Sequence, residues 1–274
     1  MTAQVHRFAA VEEGAQLGAG CRVGPFCHLG PNVVLGKNNV LHAGVVIDGH
    51  TIIGDGNELF PYACIGKTSQ DLKFNREWVS YSRIGNGNVF REYVTVNASS
   101  REGGSTVIGD NCLFLSYSHV AHDCVLGDNV IISSDSKLAG HVEVGHQATI
   151  SAKTGVVQFV RIGEFAFVGG FNKVTKDILP YCLADGFPSA IRAVNKIGLE
   201  RNGFPPEKVR AIRDAFQTMI RSELTLDAAI AQLRRKYSGV PEIERMIEFA
   251  SSSETGLARP RKSAMADEGP EPGG

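Results

Sequence analysis

The stretch VEEGAQLGAGCRVGPFCHLGPNVVLG, residues 11–36, places an aliphatic residue at every sixth position. The series is unbroken through Val5, Val11, Leu17, Val23, Leu29, Leu35, Leu41, Ile47, Ile53, Leu59 and Ile65. A helix needs a period near 3.6 and a flat strand a period of about 2. One buried aliphatic residue in six instead fits a chain that coils around a triangular prism, with one hexapeptide on each side. The sequence therefore predicts a parallel β-helix over residues 1–190.

Two interruptions break this series. After Ile65 the pattern returns at Ile84, one residue out of phase, whereas residues 97–107 keep the phase but lack the pattern. We therefore expect two loops, at about 66–83 and 97–107. Insertions in solenoids collect on a binding face, so both loops are candidates for function.

Composition excludes several classes of protein. The chain has 274 residues and a formal net charge of −1, so it has no general attraction for nucleic acid or an anionic membrane. No apolar stretch approaches the roughly 18 residues of a membrane span, so we expect no transmembrane segment. The six cysteines form neither a disulfide framework nor a Cys-x-x-Cys pair. With no signal peptide, this usage favours a cytoplasmic protein.

The pattern changes after the last hexapeptide. Pro206 and Pro241 can each open a helix, and Thr225 can cap another. Amphipathic spacing follows each of them, which predicts a helical domain over 191–257. Residues 258–274 are rich in Pro, Gly and charged residues with almost nothing to bury, so we expect a disordered tail.

One column of residues carries candidate chemistry. If three hexapeptides complete a coil, residues eighteen apart stack at about 4.8 Å, which aligns His122, Gly140 and Gln158. A general base beside a bare backbone N–H suits acyl transfer, because the base takes a proton from the attacking hydroxyl and the N–H stabilises the oxyanion. Asp123 could hold the second ring nitrogen of the base. We expect direct attack by the substrate, because no activated nucleophile is evident nearby.

Two other classes of function fit the same residues. His119, His122 and His141 fall within about one coil, and three imidazoles could hold Zn²⁺ with a water in the fourth position, as in a hydratase of the γ-carbonic-anhydrase type. Stoichiometric zinc would favour that alternative. A non-enzymatic binding solenoid is the other, since His, Asp and Asn are common at solvated solenoid corners.

Four segments carry a family resemblance: Gln70–Lys73 (QDLK), His119–Cys124 (HVAHDC), Leu138–His141 (LAGH) and Asn195–Phe204. In this order and spacing, over residues 5–255, the chain resembles the acyl-acyl-carrier-protein:UDP-N-acetylglucosamine O-acyltransferases, which start lipid A biosynthesis. The resemblance implies a left-handed β-helix and a homotrimer with sites between subunits. It also implies a phosphopantetheine thioester on acyl carrier protein as acyl donor, a UDP-sugar substrate, and no metal or other cofactor.

The resemblance assigns roles to individual residues. His122 would be the base for the sugar 3-hydroxyl, Asp123 its orienting acid, and Gly140 the oxyanion donor. The remaining positions are expected to bind substrate: Gln70, Asp71, Lys73, His119, His141, Gln158, Gly170, Asn195 and Arg201.

Some of these roles are more specific. Asn195 and Arg201 would contact the nucleotide, Arg201 suiting a phosphate by its forked donors. Gly170 would leave the groove open for a long 3-hydroxyacyl chain. The chain departs from the family at Val157, beside Gln158, where His is common. That change leaves N-acylation of a UDP 3-amino sugar open as an alternative.

A basic set of residues in the helical domain is expected to dock the acidic acyl carrier protein. Its members are Arg210, Arg213, Arg221, Arg234, Arg235 and Lys236. A solvated helix face explains these charges equally well.

Overall fold

The computed structural model describes residues 2–260, which fold as a left-handed parallel β-helix followed by a small helical domain. Strands three apart in sequence pair with each other, and this pairing builds three sheets that are the faces of the prism. Face 1 contains β1 (Gln4–Val5), β4 (Arg22–Val23), β7 (Val40–Leu41), β10 (Glu58–Leu59), β13 (Val89–Phe90), β16 (Leu113–Phe114), β19 (Ile131–Ile132), β22 (Thr149–Ile150), β25 (Phe167–Val168), β27 (Cys182–Asp185) and β28 (Ala190–Val194).

Faces 2 and 3 follow the same scheme. Face 2 contains β2 (Ala10–Val11), β5 (His28–Leu29), β8 (Val46–Ile47), β11 (Cys64–Lys67), β14 (Thr95–Asn97), β17 (His119–Val120), β20 (Lys137–Leu138), β23 (Gly155–Val156) and β26 (Lys173–Val174). Face 3 contains β3 (Gln16–Leu17), β6 (Val34–Leu35), β9 (His50–Ile53), β12 (Tyr81–Ile84), β15 (Ser105–Ile108), β18 (Val125–Leu126), β21 (Glu143–Val144) and β24 (Arg161–Ile162).

Most strands are only two residues long because one side chain points into the prism and the next points out before the chain turns. On face 2, for example, Val120 is fully buried whereas His119 is partly exposed. We call the turns between faces 1 and 2 the first corner, between faces 2 and 3 the second corner, and between faces 3 and 1 the third corner. The repeated aliphatic residues fill the space between the three faces, which is the hydrophobic core that the period of six predicts.

Both insertions leave the prism at the second corner. Residues 68–80 join β11 to β12, and residues 98–104 join β14 to β15, so the flanking strands take up the ends of the two predicted loops. The insertions also contact each other, because the Val79 N–H donates to Glu102 Oε2 at 3.0 Å and the Gly103 N–H donates to the Val79 carbonyl at 2.8 Å.

Strand β28 pairs antiparallel with β27 and extends face 1 to Val194, so the sheet continues beyond the predicted boundary at residue 190. The helices are α1 (Lys196–Arg201), α2 (Pro206–Phe216), which runs into a π-helical turn (Gln217–Arg221), α3 (Leu226–Lys236) and α4 (Pro241–Ser251). The sequence predicted the starts of α2, α3 and α4 and missed the short helix α1.

The predicted tail boundary at Ala258 is wrong for the residues that the structure describes. Ala258 is 3% exposed, donates to the Asp177 carbonyl at 2.9 Å and accepts from the Ile191 N–H at 2.7 Å. The backbone of the last coil needs hydrogen-bond partners, and this segment provides them. The rest of the predicted tail, residues 261–274, lies outside the described residues. Within residues 2–260, no helix combines the length and apolarity that crossing a bilayer requires.

Candidate active site

Three successive coils place the candidate catalytic residues at the second corner. His122 follows β17, Gly140 follows β20 and Gln158 follows β23. The His141 N–H donates to the His122 carbonyl at 3.0 Å, and the Phe159 N–H donates to the Gly140 carbonyl at 3.3 Å. These hydrogen bonds hold the three turns one above another.

His122 and Asp123 form a hydrogen-bonded pair. The His122 residue is 5% exposed, and its Nδ1 lies 2.8 Å from Asp123 Oδ2. The backbone of Asp123 is left-handed, with φ of 60°, and its N–H donates to Thr106 Oγ1 at 2.8 Å. This turn geometry brings the carboxylate back onto the ring of the preceding residue.

Two serines from the insertion 98–104 complete the surroundings of Asp123. Ser99 Oγ donates to Oδ1, and Ser100 donates to Oδ2 through its N–H at 3.1 Å and its hydroxyl at 2.7 Å. Burial raises the pKa of Asp123, but hydrogen bonds from Ser99, Ser100 and His122 outweigh it and lower the pKa to about 2. The carboxylate is therefore ionised at neutral pH and can only accept hydrogen bonds.

This charge fixes the protonation pattern of His122. Because Asp123 only accepts, the proton of the neutral imidazole lies on Nδ1 and the lone pair lies on Nε2. Within residues 2–260, His122 Nε2 makes no hydrogen bond, and it is not one of the polar atoms that are sealed from solvent without a partner. Nε2 therefore keeps a free lone pair and can act as a base.

Gly140 lies directly over the imidazole of His122. A Cβ at this position would be 2.5 Å from His122 Nε2, closer than side-chain atoms approach each other. Only glycine leaves room for the ring. Among the described residues, the Gly140 N–H donates no hydrogen bond, so it can serve an incoming oxygen.

Two depressions flank this corner. A cleft of about 530 Å³ on the side of face 3 is lined by Asp123 and His141. A groove of about 510 Å³ on face 2 is lined by His119 and Gln158. The predicted binding residues are thus divided between two sides of the buried His122.

His119 and His141 are held separately. Thr95 Oγ1 lies 2.7 Å from His119 Nδ1, and burial lowers the pKa of His119, with Lys137 adding to the effect. Burial also lowers the pKa of His141. The zinc alternative required three converging imidazoles. In the described part of the chain the three residues close enough to share a metal ion are His122, Asp123 and His141, and His119 does not join them, because its side chain points outward from β17 on face 2.

Comparison with known proteins identifies the family. A family model described as "Udp N-acetylglucosamine O-acyltransferase; Domain 2" matches residues 177–258, and a model of bacterial transferase hexapeptide repeats matches residues 14–49 and 105–140. An acyl-[acyl-carrier-protein]--UDP-N-acetylglucosamine O-acyltransferase of Akkermansia muciniphila is 51% identical over 77% of this chain and 82% of its own length. This chain belongs to the UDP-N-acetylglucosamine O-acyltransferase family.

Other members of the family cover nearly the whole chain. The enzyme of the same name from Chlamydia caviae is 42% identical over 96% of this chain and 95% of its own length. The crystal structure of Francisella novicida UDP-N-acetylglucosamine acyltransferase superimposes with a TM-score of 0.92 at 31% identity, covering 97% of each chain.

The QDLK segment of this family member lies in the insertion 68–80. Gln70 and Lys73 are exposed, whereas Asp71 is half-buried and its Oδ1 accepts from the Lys73 N–H at 2.9 Å. The insertion starts beside the second one, because the Ala98 N–H donates to the Lys67 carbonyl at 2.8 Å. The three predicted loop residues therefore extend from the corner that carries His122.

Three other predicted positions lie elsewhere in the chain. Gly170 is at the first corner, where a Cβ would lie 3.2 Å from the Ala152 carbonyl oxygen. Asn195 is the N-cap of α1, because its side-chain oxygen accepts from the Gly198 N–H at 3.1 Å. Its side-chain nitrogen donates to a backbone carbonyl at the third corner of the prism. Arg201 is exposed in the last turn of α1. A single chain of this acyltransferase does not bring these residues to His122.

The basic set of the helical domain is also divided. Arg210, Arg213 and Arg221 line a groove of about 770 Å³ together with Arg192 and Lys196. The other three predicted members lie outside this groove: Arg234, Arg235 and Lys236. Lys236 is neutralised by an ion pair with Asp214 at 3.0 Å.

Sequence reasoning missed the residues that surround Asp123 and His141. Ser99, Ser100 and Arg101 come from the insertion 98–104, and Phe159 stacks on His141 with ring centroids 4.7 Å apart. The sequence did contain a signal for the serines. The hexapeptide pattern resumes in the same phase after the insertion, so residues at the start of the insertion stack in the same column as Asp123.

Proposed function

We propose that this protein transfers a 3-hydroxyacyl group from an acyl carrier protein thioester to the 3-hydroxyl of UDP-N-acetylglucosamine, the first step of lipid A biosynthesis, without a metal or other cofactor. The observation that carries the proposal is the free lone pair on Nε2 of His122. It is activated by ionised Asp123 and lies beneath Gly140, in a chain of the O-acyltransferase family.

The reaction follows from these contacts. The sugar hydroxyl oxygen attacks the thioester carbonyl carbon while His122 Nε2 takes the hydroxyl proton. Asp123 stabilises the imidazolium that forms, and the Gly140 N–H donates to the oxyanion of the tetrahedral intermediate. The C–S bond then breaks, and the imidazolium returns its proton to the departing thiolate. The products are the sugar ester and the free phosphopantetheine thiol.

The full substrate site is proposed to form in a homotrimer in the cytoplasm. Gly170 lies at the first corner, Asn195 is bonded to the third corner, and Arg201 lies in the last turn of α1, so none of the three lies at the corner that carries His122. Packing three prisms side by side would place these corners of one subunit against the second corner of another. The groove lined by Arg210, Arg213 and Arg221 suits the acidic acyl carrier protein, because its cations outnumber its acids.

The activity is tested by incubating the purified protein with 3-hydroxyacyl carrier proteins of several chain lengths and UDP-N-acetylglucosamine, and weighing the products. We expect a mass increase of one 3-hydroxyacyl group, with long chains accepted. His122→Ala should lower kcat by roughly 10²–10⁴-fold because the general base is lost. A folded protein that forms no acylated sugar from any donor would refute the proposal.

The departure at Val157 supports a second acceptor. Val157 lines the groove on face 2 with His119 and Gln158, so an imidazole common in the family is missing beside the site. The same base and oxyanion donor could acylate a 3-amino group. Presenting UDP-N-acetylglucosamine and its 3-amino analogue together, in equal amounts, separates O-acylation from N-acylation by product mass.

A mixing experiment tests the shared site. His122→Ala and Arg201→Ala homotrimers should each be nearly inactive, and subunit exchange between them should restore activity, because some interfaces then combine an intact His122 with an intact Arg201. If exchange occurs without any recovery, each site lies within one subunit. A monomer by sedimentation that retains full activity would lead to the same conclusion.

A further inference from the structure

Arg101 has no role in the reaction steps above, yet it reaches the centre of the site. Its guanidinium Nη2 lies 2.8 Å from His141 Nδ1, and its Nε lies 3.9 Å from Asp123 Oδ1. Its backbone is fixed on both sides, because its N–H donates to Ser99 Oγ at 3.1 Å and its carbonyl accepts from the Gly104 N–H at 3.0 Å. The insertion therefore fixes the backbone of Arg101, from which a side chain that is 66% exposed reaches His141.

The contact with Arg101 determines where the proton of His141 lies. A guanidinium has only donors and keeps its charge at any ordinary pH, so His141 Nδ1 must be the acceptor. The proton of the neutral imidazole is then on Nε2. His141 Nε2 lies 3.6 Å from Asp123 Oδ2, which is too long for a hydrogen bond. This N–H is left for another acceptor.

The ring of His141 is also fixed in orientation. It stacks on Phe159, with an interplanar angle of 8°, and meets the ring of His122 edge-on, with centroids 5.2 Å apart. Its Nε2 edge lies beside Asp123 in the cleft of about 530 Å³, which Arg101 also lines. A ligand in this cleft meets a donor, not an acceptor, at His141.

We propose that Arg101 is a positioning residue that holds His141 as its Nε2–H tautomer, so that His141 donates a hydrogen bond to an oxygen of the acceptor substrate beside Asp123. The matching substrate group is an acceptor oxygen, a hydroxyl or carbonyl of the sugar nucleotide. This inference rests on the proposed acyl transfer for the identity of the ligand, but the tautomer of His141 in the free protein does not depend on it.

The tautomer is measured by ¹⁵N NMR of histidine side chains in the ligand-free full-length protein, with the His141 signals assigned from a His141→Gln variant. The parent should show a protonated Nε2 and an unprotonated Nδ1. Arg101→Met removes the donor and should produce a mixture of tautomers. Arg101→Lys keeps a group that can only donate and should keep the parent pattern, whereas the Arg101→Gln amide can donate or accept and should give a pattern between those of the parent and the Met variant. Arg22, exposed on β4 at the other end of the prism, provides the matched control Arg22→Met.

Steady-state kinetics add the functional readout. Arg101→Met should raise KM for the sugar nucleotide and lower kcat/KM by the factor by which the Nε2–H fraction of His141 falls, roughly 2- to 10-fold. Arg101→Lys should recover most of this loss, and Arg101→Gln only part of it. If the Lys variant instead behaves like the Met variant, a donor-only group at this position does not hold the tautomer and the proposal is wrong. Unchanged NMR signals in Arg101→Met would overturn it as well. Absence of acyl transfer by the parent would refute only the proposed function.

Discussion

The first and second corners of the prism share one backbone path but carry different side chains. Tyr117 at the first corner and Asp123 at the second both adopt a left-handed turn, with φ of 63° and 60°. At the first corner Tyr62, Tyr93 and Tyr117 stack, with ring centroids 5.2 and 4.9 Å apart. The second corner instead carries His122, and its course is interrupted by two insertions.

This difference separates what the repeat supplies from what the insertions add. Each corner also has a carboxylate whose pKa is lowered to about 2. Glu92, at the first corner, is held mainly by the adjacent Arg91. Asp123 is more deeply buried, and the insertion 98–104 provides its hydrogen bonds. A low carboxylate pKa alone therefore does not distinguish the two corners, whereas the imidazole beside Asp123 does.

The largest expected effect comes from neutralising the carboxylate of Asp123. Asp123→Asn should lower kcat by roughly 10²–10⁴-fold, because an amide no longer enforces the Nδ1–H tautomer or stabilises the imidazolium. Glu92→Gln is the matched control and should lower kcat far less, because the side chains that bond Glu92 are Arg91 and Ser116 and not a candidate base. Acyl-transfer rates of the two variants, measured at saturating substrates, check this prediction. A full rate in Asp123→Asn would remove the functional distinction between the corners.

Adding one methyl group at the second corner should have the next largest effect. In Gly140→Ala the new Cβ collides with the His122 ring, so the base is displaced and kcat should fall about 10²-fold. The unfolding midpoint should also decrease. Gly155, in β23, is the control for stability, because a Cβ there meets no atom within 4 Å. Gly155→Ala should therefore keep or slightly raise the unfolding midpoint.

Acid should remove the contribution of Asp123 to the free energy of unfolding in a defined pH range. The pKa of Asp123 is about 2 in the folded chain against an ordinary value of 3.8. Its stabilisation is therefore complete above pH 3.8 and is lost as pH falls through 2, amounting to about 2 kcal/mol at neutral pH. The difference in unfolding free energy between the parent and Asp123→Asn should shrink over that range. A difference that stays constant down to pH 2 would mean that the carboxylate is not stabilised by its partners.

The smallest expected effect is at the first corner. Tyr93→Leu removes two stacked ring pairs and should lower the free energy of unfolding by about 1–2 kcal/mol, while kcat/KM should fall far less than in Asp123→Asn. Phe187→Leu, at an exposed ring outside the stack, should change it by less than about 0.5 kcal/mol. Chemical denaturation of both variants provides the measurement. Equal losses in the two variants would show that the tyrosine stack adds no stability of its own.

Much of the second corner could be predicted because spacing within regular coils is uniform. The offset of eighteen residues correctly placed Gly140 over His122, since no insertion lies between them. The same offset fails one coil earlier, where Thr95 pairs with His119 across the insertion 98–104. Ser99 and Ser100 were missed for that reason. The three-histidine set of the zinc hypothesis does not form, because His119 points out of a face whereas His122 lies at a corner.

The sequence by itself determined the prism, its buried aliphatic column and the alignment of His122 with Gly140. These follow from strand pairing, which fixes the same spacing in every uninterrupted coil. Only the tertiary structure decided which side chains surround Asp123 and His141. Ser99, Ser100 and Arg101 reach them through an insertion whose path depends on its contacts with the neighbouring insertion and not on any repeat. The periodic part of the chain has one low-energy arrangement, whereas a loop acquires its shape from what it packs against.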